Sequence, residues 1–464
     1  MLTKSRTLLH FIILVFKKTL KYRHVILSLS LVSLVLYFYK LLFFGDLGAM
    51  FRSEERLDFR FVDAEVTEDG RTAYMNKWVG FPHLAHVDCK AALSKKQDNR
   101  LYPKTVMRVA ASQIAQDSRN CSSFLHEYGF QRFSNVSQEE VEFPIAFIIL
   151  FHKDLDQVMH LLRQIYRPHN VYCLSVDLNS DPGFINSVRA VAACFPNVFL
   201  ATQLEHIVYA GYARLMADIH CMRDLVAHQV RWRYLINMPG QQFPLKTNLE
   251  MVKILKIFNG ANDMLGVTGK RSLPQRYKIK HRVILDSKTG KNITAETVER
   301  NPPPPHNFQI VKGSAYGAFS RAFVLFVLVN KKVWDLIRWS KDIESPDEYV
   351  WSTVHHTKLL DVPGGYRGLP EKKKYLTTYV AWENESPCAT IHVRWVCIFS
   401  TSDLPMLAGR HELFANKFYI DFHPTALHCL DQFLYNLTVT GTSRDLQFYR
   451  SLPFVGPHKE TGED

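Results

Sequence analysis

Between residues 144 and 240 the chain repeats one pattern, and few folds accept it: a short, wholly apolar run, then a stretch with apolar residues at helical spacing. Pro144-Ile145-Ala146-Phe147-Ile148-Ile149-Leu150-Phe151 contains no polar side chain and reads as a strand buried on both faces, ending at His152. Over 156–166, Val158, Leu161, Leu162 and Ile165 share one helix face. Further strands are expected over 170–176, 197–201 and 232–237. A helix over 212–226, carried by Leu215, Met216, Ile219 and Met222, precedes the last of them. Strands that alternate with helices predict an α/β fold on a parallel sheet. Ligands of such sheets gather beyond the carboxyl ends of the strands. His152, Asp177 and the segment Tyr209-Ala210-Gly211 stand where that rule wants a nucleotide.

The N-terminus bears on where the chain works. Residues 25–44 are apolar except for serines, tyrosines and Lys40, and this run is long enough to cross a bilayer as a helix. Lys40 lies near its end, where the long stem can snorkel to the interface. Residues 1–24 carry Lys4, Arg6, Lys17, Lys18, Lys21 and Arg23 and no acid. The positive-inside bias then keeps this end cytoplasmic and the C-terminus luminal. A cleaved signal peptide would have a shorter apolar core, and no convincing small-residue cleavage site follows Phe44. An uncleaved type II anchor is therefore expected. The run 8–16 is too short to span and reads as interfacial.

Six of the formal +13 charges precede the anchor, leaving a modest +7 beyond it. That excess suits a protein handling an anionic nucleotide-linked substrate, whereas nucleic-acid binding would call for a basic stripe on a recognisable module, and neither is present. All eight cysteines, Cys89, Cys121, Cys173, Cys194, Cys221, Cys388, Cys397 and Cys429, follow the anchor, an even number suited to an oxidising compartment. Spacing alone leaves 105 connectivities open. No CxxC pair suggests a zinc ribbon. Sequons at Asn120, Asn135, Asn292 and Asn436 fit a secretory protein, while Pro387 weakens the one at Asn384. Residues 302–305 form a stiff proline loop, and no internal repeat is present.

The C-terminal third carries the chemistry. Ser345-Pro346-Asp347-Glu348-Tyr349 offers a carboxylate just after a proline-set turn. His392-Val393-Arg394-Trp395-Val396-Cys397-Ile398-Phe399 and Leu413-Phe414-Ala415-Asn416-Lys417-Phe418 each set one Arg or Lys among apolar residues. A buried cation needs an anion to justify its desolvation, and a diphosphate is such an anion. These motifs closely resemble those of the core 2 / I-branching β-1,6-N-acetylglucosaminyltransferase family, and the resemblance runs from about Cys89 to Cys429. It implies a GT-A-like, metal-independent α/β glycosyltransferase fold. The organisation would be a cytoplasmic tail over 1–24, a signal anchor over 25–44, a luminal stem over 45–120 and a luminal catalytic domain over 121–464, placed in the Golgi membrane.

By the same resemblance, GlcNAc would pass from UDP-GlcNAc to the 6-hydroxyl of a galactose or GalNAc on a glycoprotein glycan. Glu348 would be the general base, with no cofactor or metal. Leu150, Phe151, His152, Asp177, Leu178, Asn179, Tyr209, Arg394 and Lys417 would meet the donor, and Arg276 and Trp382 the acceptor. The implied disulfides are Cys89–Cys429, Cys121–Cys194, Cys173–Cys221 and Cys388–Cys397. Each candidate has a plainer alternative: Asp177 as a turn cap, His152 as a structural histidine, Tyr209 and Trp382 as ordinary aromatics. Asp347 is read as a helix cap. Asp154-Leu155-Asp156 has the look of a metal-binding DxD but falls at a helix start, where acids complement the dipole, and is read as capping. The chain departs from the family on the acceptor side. Gln242 replaces an acid, an acidic contact falls on Leu265 or Gly266, and a tyrosine is replaced by Asn384. Two rivals follow, a peptide xylosyltransferase-like enzyme and a catalytically weak Golgi scaffold that retains nucleotide binding.

Overall fold

The computed structural model describes residues 87–94, 108–133, 136–383, 385–386 and 388–455. The expected tail, anchor and first part of the stem, the Asn135 sequon and Asn384 lie outside the described residues. Among the described residues no helix is long and apolar enough to cross a membrane.

The apolar runs become strands: β1 (Ile145–Phe151), β2 (Val171–Val176), β3 (Val198–Leu200) and β4 (Tyr234–Pro239). After them come β5 (Gln242–Pro244), β6 (Ile279–Leu285), β7 (Asn292–Arg300) and β8 (Ala318–Ser320). The last four are β9 (Thr378–Val380), β10 (His392–Val393), β11 (Val396–Cys397) and β12 (Phe414–Asn416). The main sheet has the order β3-β2-β1-β4-β8, parallel except for the edge pair β4–β8. Every residue of β1 and β2 is buried, which is why those runs could be apolar throughout. Helices Leu155–Ile165, Pro182–Ala192 and Tyr212–Ala227 make the crossovers. Because β4 returns to the far side of β1, the order of strands reverses between them, and a crevice opens there.

Gly240 closes the end of β4. A Cβ there would sit 2.8 Å from Val158 Cγ2 and 3.1 Å from Phe151 Cβ, so only glycine permits this approach of strand and helix. A small sheet, β5-β12-β9, delivers the C-terminal segment to this same end of the main sheet. The hairpin β6–β7 was not expected from the sequence. It is largely exposed, and its charged residues interrupt any two-residue alternation.

All eight cysteines are paired, as Cys89–Cys429, Cys121–Cys194, Cys173–Cys221 and Cys388–Cys397, the connectivity that the family resemblance implies. Cys173–Cys221 ties β2 to the crossover helix Tyr212–Ala227. Residues 87–94 and 108–120, assigned to the stem, pack onto this body: Ala92 and Ile114 are wholly buried, and Arg108 pairs with Asp154 and Asp156. A buried ion triad adds a further tie. Asp431 accepts from Arg132 at 2.6 Å and is also paired with Arg163. Burial alone would raise the Asp431 pKa, yet the two guanidinium groups hold it well below the carboxylate range.

Candidate active site

The strand ends form the floor. Phe151 and Val176 are register partners, and the Asp177 N–H donates to the Phe151 carbonyl at 3.0 Å. Leu150 and Phe151 are buried and their carbonyls are engaged, so their part is to shape the floor. Asp177 Oδ1 accepts from the N–H groups of Ile207 at 3.0 Å and Asn179 at 2.9 Å. Asn179 Nδ2 donates to the Ile207 carbonyl at 3.2 Å, and the Leu178 N–H donates to the Glu205 carbonyl at 2.9 Å. The turn 177–179 thus clamps the segment leading to Tyr209. Partial burial lowers the pKa of His152, helped by the charges of Lys153 and Arg394 and opposed by Asp177 and Asp154. His152 therefore shares a field with both the strand ends and Arg394.

Above this floor lies the hairpin β10–β11. Val393 pairs with Val396, leaving Arg394 and Trp395 as a two-residue turn, with φ of 54° and 66°. Positive φ at both positions matches the twist of a tight hairpin, but bulky residues are strained there. The turn is held from outside by the Cys388–Cys397 disulfide and by the Glu383 N–H, which donates to the Trp395 carbonyl at 3.0 Å. The consequence is that Arg394 is exposed, contrary to the buried cation expected from its apolar neighbours, because it occupies the hairpin tip. Its guanidinium lies 4.3 Å from the centre of the Tyr209 ring, a cation–π contact.

Lys417, just after β12, is buried as expected. Its Nζ donates to the Val393 carbonyl at 2.9 Å, and burial together with the Arg394 charge pushes its pKa down to about 8. Neither Arg394 nor Lys417 has a carboxylate within ion-pair distance among the described residues. Two neighbouring cations without an acid of their own make an anion site.

The segment that carries the acid is hydrogen-bonded to the residue after Tyr209. Ser345, at φ 52°, donates its N–H to the Ala210 carbonyl at 2.7 Å, and the turn Pro346–Glu348 follows. Glu348 is half-buried, and its Oε2 lies 2.8 Å from Lys312 Nζ and 3.2 Å from Arg276 Nη1. Arg276 also reaches Glu344 at 3.4 Å. Asp347 does not cap a helix. It is buried 3.9 Å from Arg214, which pairs with Asp218 at 2.8 Å, and Asn237 donates to Asp218 at 2.9 Å. Burial raises the Asp347 pKa to about 6, with Arg214 opposing and Glu348 and Asp218 adding to the rise.

Sequence reasoning missed Lys312 and the Arg214–Asp218–Asn237 network. No motif announces them, since each meets the acid through the fold. Trp382 is 43 % exposed and bridges to Val396 of the hairpin. The departures have physical consequences. Gln242 is buried in β5, and a side chain at Gly266 would come within 2.4 Å of His356 Nε2, so an acid cannot stand there without a shift. The Asp154-Leu155-Asp156 triplet is neither a plain cap nor open. Asp154 makes no capping bond and Asp156 accepts from the Gln157 N–H at 2.9 Å, while Arg108 lies 2.8 Å from Asp154 and 2.6 Å from Asp156. Of the described sequons, Asn120 is exposed but caps a helix, accepting from the Ser123 N–H at 3.2 Å. Asn292 is exposed at the start of β7, and Asn436 is half-buried within the helix Pro424–Val439.

A parallel α/β sheet carries above its strand ends two cations with no carboxylate in ion-pair distance among the described residues. Residues 145–408 match the model of the Core-2/I-Branching enzyme family, and the chain belongs to that family. It is 39 % identical over 332 residues to a human beta-1,3-galactosyl-O-glycosyl-glycoprotein beta-1,6-N-acetylglucosaminyltransferase, covering 68 % of this chain and 75 % of the relative. A second human enzyme of that name, numbered 3, is 36 % identical over 342 residues, covering 70 % and 75 %. The sheep enzyme numbered 3 is 35 % identical over 372 residues, covering 76 % and 82 %.

Proposed function

We propose that this protein is an inverting β-1,6-N-acetylglucosaminyltransferase with a GT-A-like fold. It moves GlcNAc from UDP-GlcNAc to the 6-hydroxyl of a galactose or GalNAc in an O-glycan or related glycan. The observation that carries this reading is the juxtaposition of Glu348 with the Arg394–Lys417 pair across the Ser345–Ala210 hydrogen bond, within a chain of this family. As the acceptor oxygen bonds to the anomeric carbon, its proton passes to Glu348. The bond from that carbon to the diphosphate oxygen breaks, and the electron pair leaves with UDP. Attack opposite the leaving group turns an α-linked donor into a β-linked product. Arg394 and Lys417 stabilise the departing charge, a role that needs donors fixed before the reaction begins.

Metal independence belongs to the same reading, supported by those two cations and by the engagement of Asp154 and Asp156 with Arg108. The remaining assignments are His152, Asp177, Leu178, Asn179 and Tyr209 to the donor, and Arg276 and Trp382 to the acceptor. The type II anchor at 25–44, the stem and the Golgi address complete the proposal, supported by four disulfides that require an oxidising compartment.

Glu348→Gln keeps the volume but removes the base. Transfer from UDP-GlcNAc to a panel of mucin-type and poly-lactosamine acceptors should fall by ~10²–10⁴-fold, with UDP affinity and folding unchanged. Near-normal transfer would remove Glu348 as base. A wild type that binds UDP yet transfers to no acceptor would favour the scaffold reading, to which Gln242 and Gly266 lend weight.

A further inference from the structure

Glu348 is asymmetrically engaged. Both of its cations, Lys312 and Arg276, make their shortest contact to the same carboxylate oxygen, Oε2, and no hydrogen bond reaches Oε1 among the described residues. The two cations are not equivalent. Arg276 is shared with Glu344, which also lies 3.6 Å from His281, whereas Lys312 has no other carboxylate in ion-pair distance among the described residues. The position of Lys312 is fixed by backbone contacts on three sides. Its N–H donates to the Val267 carbonyl at 3.0 Å, its carbonyl accepts from the Val267 N–H at 2.8 Å, and the next N–H, of Gly313, donates to the Glu348 carbonyl at 2.7 Å. Gly313 could not be another residue, because a Cβ would fall 1.8 Å from Ser352 Oγ. The fold thus builds a close crossing whose effect is to hold one ammonium group against one oxygen of the acid.

We infer that Lys312 is a positioning residue for the transfer reaction: by holding Oε2 it presents Oε1 of Glu348 as the atom that accepts the acceptor's proton. This rests on Glu348 being the base. A carboxylate free to rotate offers either oxygen in many directions, while one pinned at Oε2 presents the other in a set direction before substrate arrives, the pre-organisation that makes base catalysis efficient. The other groups facing this carboxylate are Arg276 and, behind it, Glu344, with Asp347 and Tyr349 on its own segment. None of them replaces Lys312 at 2.8 Å.

The test uses the full-length protein and reads kcat, both KM values and UDP affinity for Lys312→Met and Lys312→Arg. Lys312→Met should lower kcat about tenfold or more at neutral pH, with each KM within about threefold of wild type. A loss confined to kcat, with both substrates still bound, is what a mispositioned base predicts. Lys312→Arg should recover most of kcat. Adding Lys312→Met to Glu348→Gln should cost nothing further, since there is then no base to position. Three results would overturn the inference: a Lys312→Met enzyme with kcat within about threefold of wild type or above it; a Lys312→Met enzyme whose loss lies in KM rather than in kcat; or a Lys312→Arg enzyme, folded by its UDP binding, that recovers none of kcat. Failure of the underlying reading looks different, because Glu348→Gln alone would then transfer normally.

Discussion

At the residue scale the decisive feature is that, among the described residues, Arg394 and Lys417 have no acid in ion-pair distance while Glu348 is held by two cations. Arg394 lies against an aromatic face and Lys417 against a carbonyl, so both enter a complex without first breaking an ion pair. Lys417 bears the desolvation, and its pKa near 8 makes the site sensitive to pH. A diphosphate favours the charged ammonium, so the complex has the higher pKa, and binding above pH 8 takes up a proton. UDP affinity should therefore be flat below about pH 8 and fall by up to about tenfold per pH unit above it. Titration calorimetry at pH 7 and pH 9 would measure this, and Lys417→Arg, charged at both, should abolish the dependence. Equal UDP affinity at the two pH values in the wild type would show that Lys417 does not meet the donor.

At the scale of elements, the hairpin β10–β11 is the least self-sufficient part of the site. Two residues in each strand cannot by themselves hold Arg394 and Trp395 at positive φ. The disulfide Cys388–Cys397 supplies the constraint, spanning 9 residues of sequence. Closing a loop of that size is worth about 2–3 kcal/mol against the open chain. If half of that is spent holding the turn, Cys388→Ser with Cys397→Ser should weaken UDP binding by about tenfold. Cleavage at Arg394 by trypsin should quicken in parallel. Unchanged affinity in that double variant would show that β-pairing and the Glu383 bond suffice.

The elements also show how far local reading reaches. The parallel strands were legible to within one or two residues at most ends, because a strand covered on both faces is apolar without interruption. The hairpin β6–β7 was not, although it ties the site together: Thr294 Oγ1 donates to the Tyr209 carbonyl at 2.8 Å. Its strands are mostly solvated and their charges follow no inside–outside rule. The apolar neighbours of Arg394 misled in the opposite direction, since a turn places its tip in water whatever flanks it.

At the scale of the molecule, several charges buried in the described core are compensated by a partner of opposite sign. The triad of Asp431, Arg132 and Arg163 lies on the compensated side, all three side chains being at most 4 % exposed. Asp431→Ala would leave two guanidinium groups buried without this acid, and unfolding in denaturant at pH 7 should show a loss of about 3–5 kcal/mol. A loss under 1 kcal/mol would mean that water or other groups already compensate them. Leaving-group stabilisation is assigned to Arg394 and Lys417, so transfer should persist in excess EDTA. Loss of activity in chelator, restored by manganese, would reassign Asp154 and Asp156 as metal ligands despite Arg108.

What the sequence determined by itself was whatever depends on near neighbours: apolar runs that had to be buried strands, helical faces between them, and short motifs carrying Glu348, Arg394 and Lys417. Tertiary structure alone decided which of these groups meet. Lys312 and Arg276 come to Glu348 from 36 and 72 residues away. Arg394 reaches Tyr209 across 185 residues, and Arg108 occupies the acids at 154 and 156. A charge's partner is set by distance in space, which falls steeply in importance beyond a few ångströms, and separation along the chain says almost nothing about it.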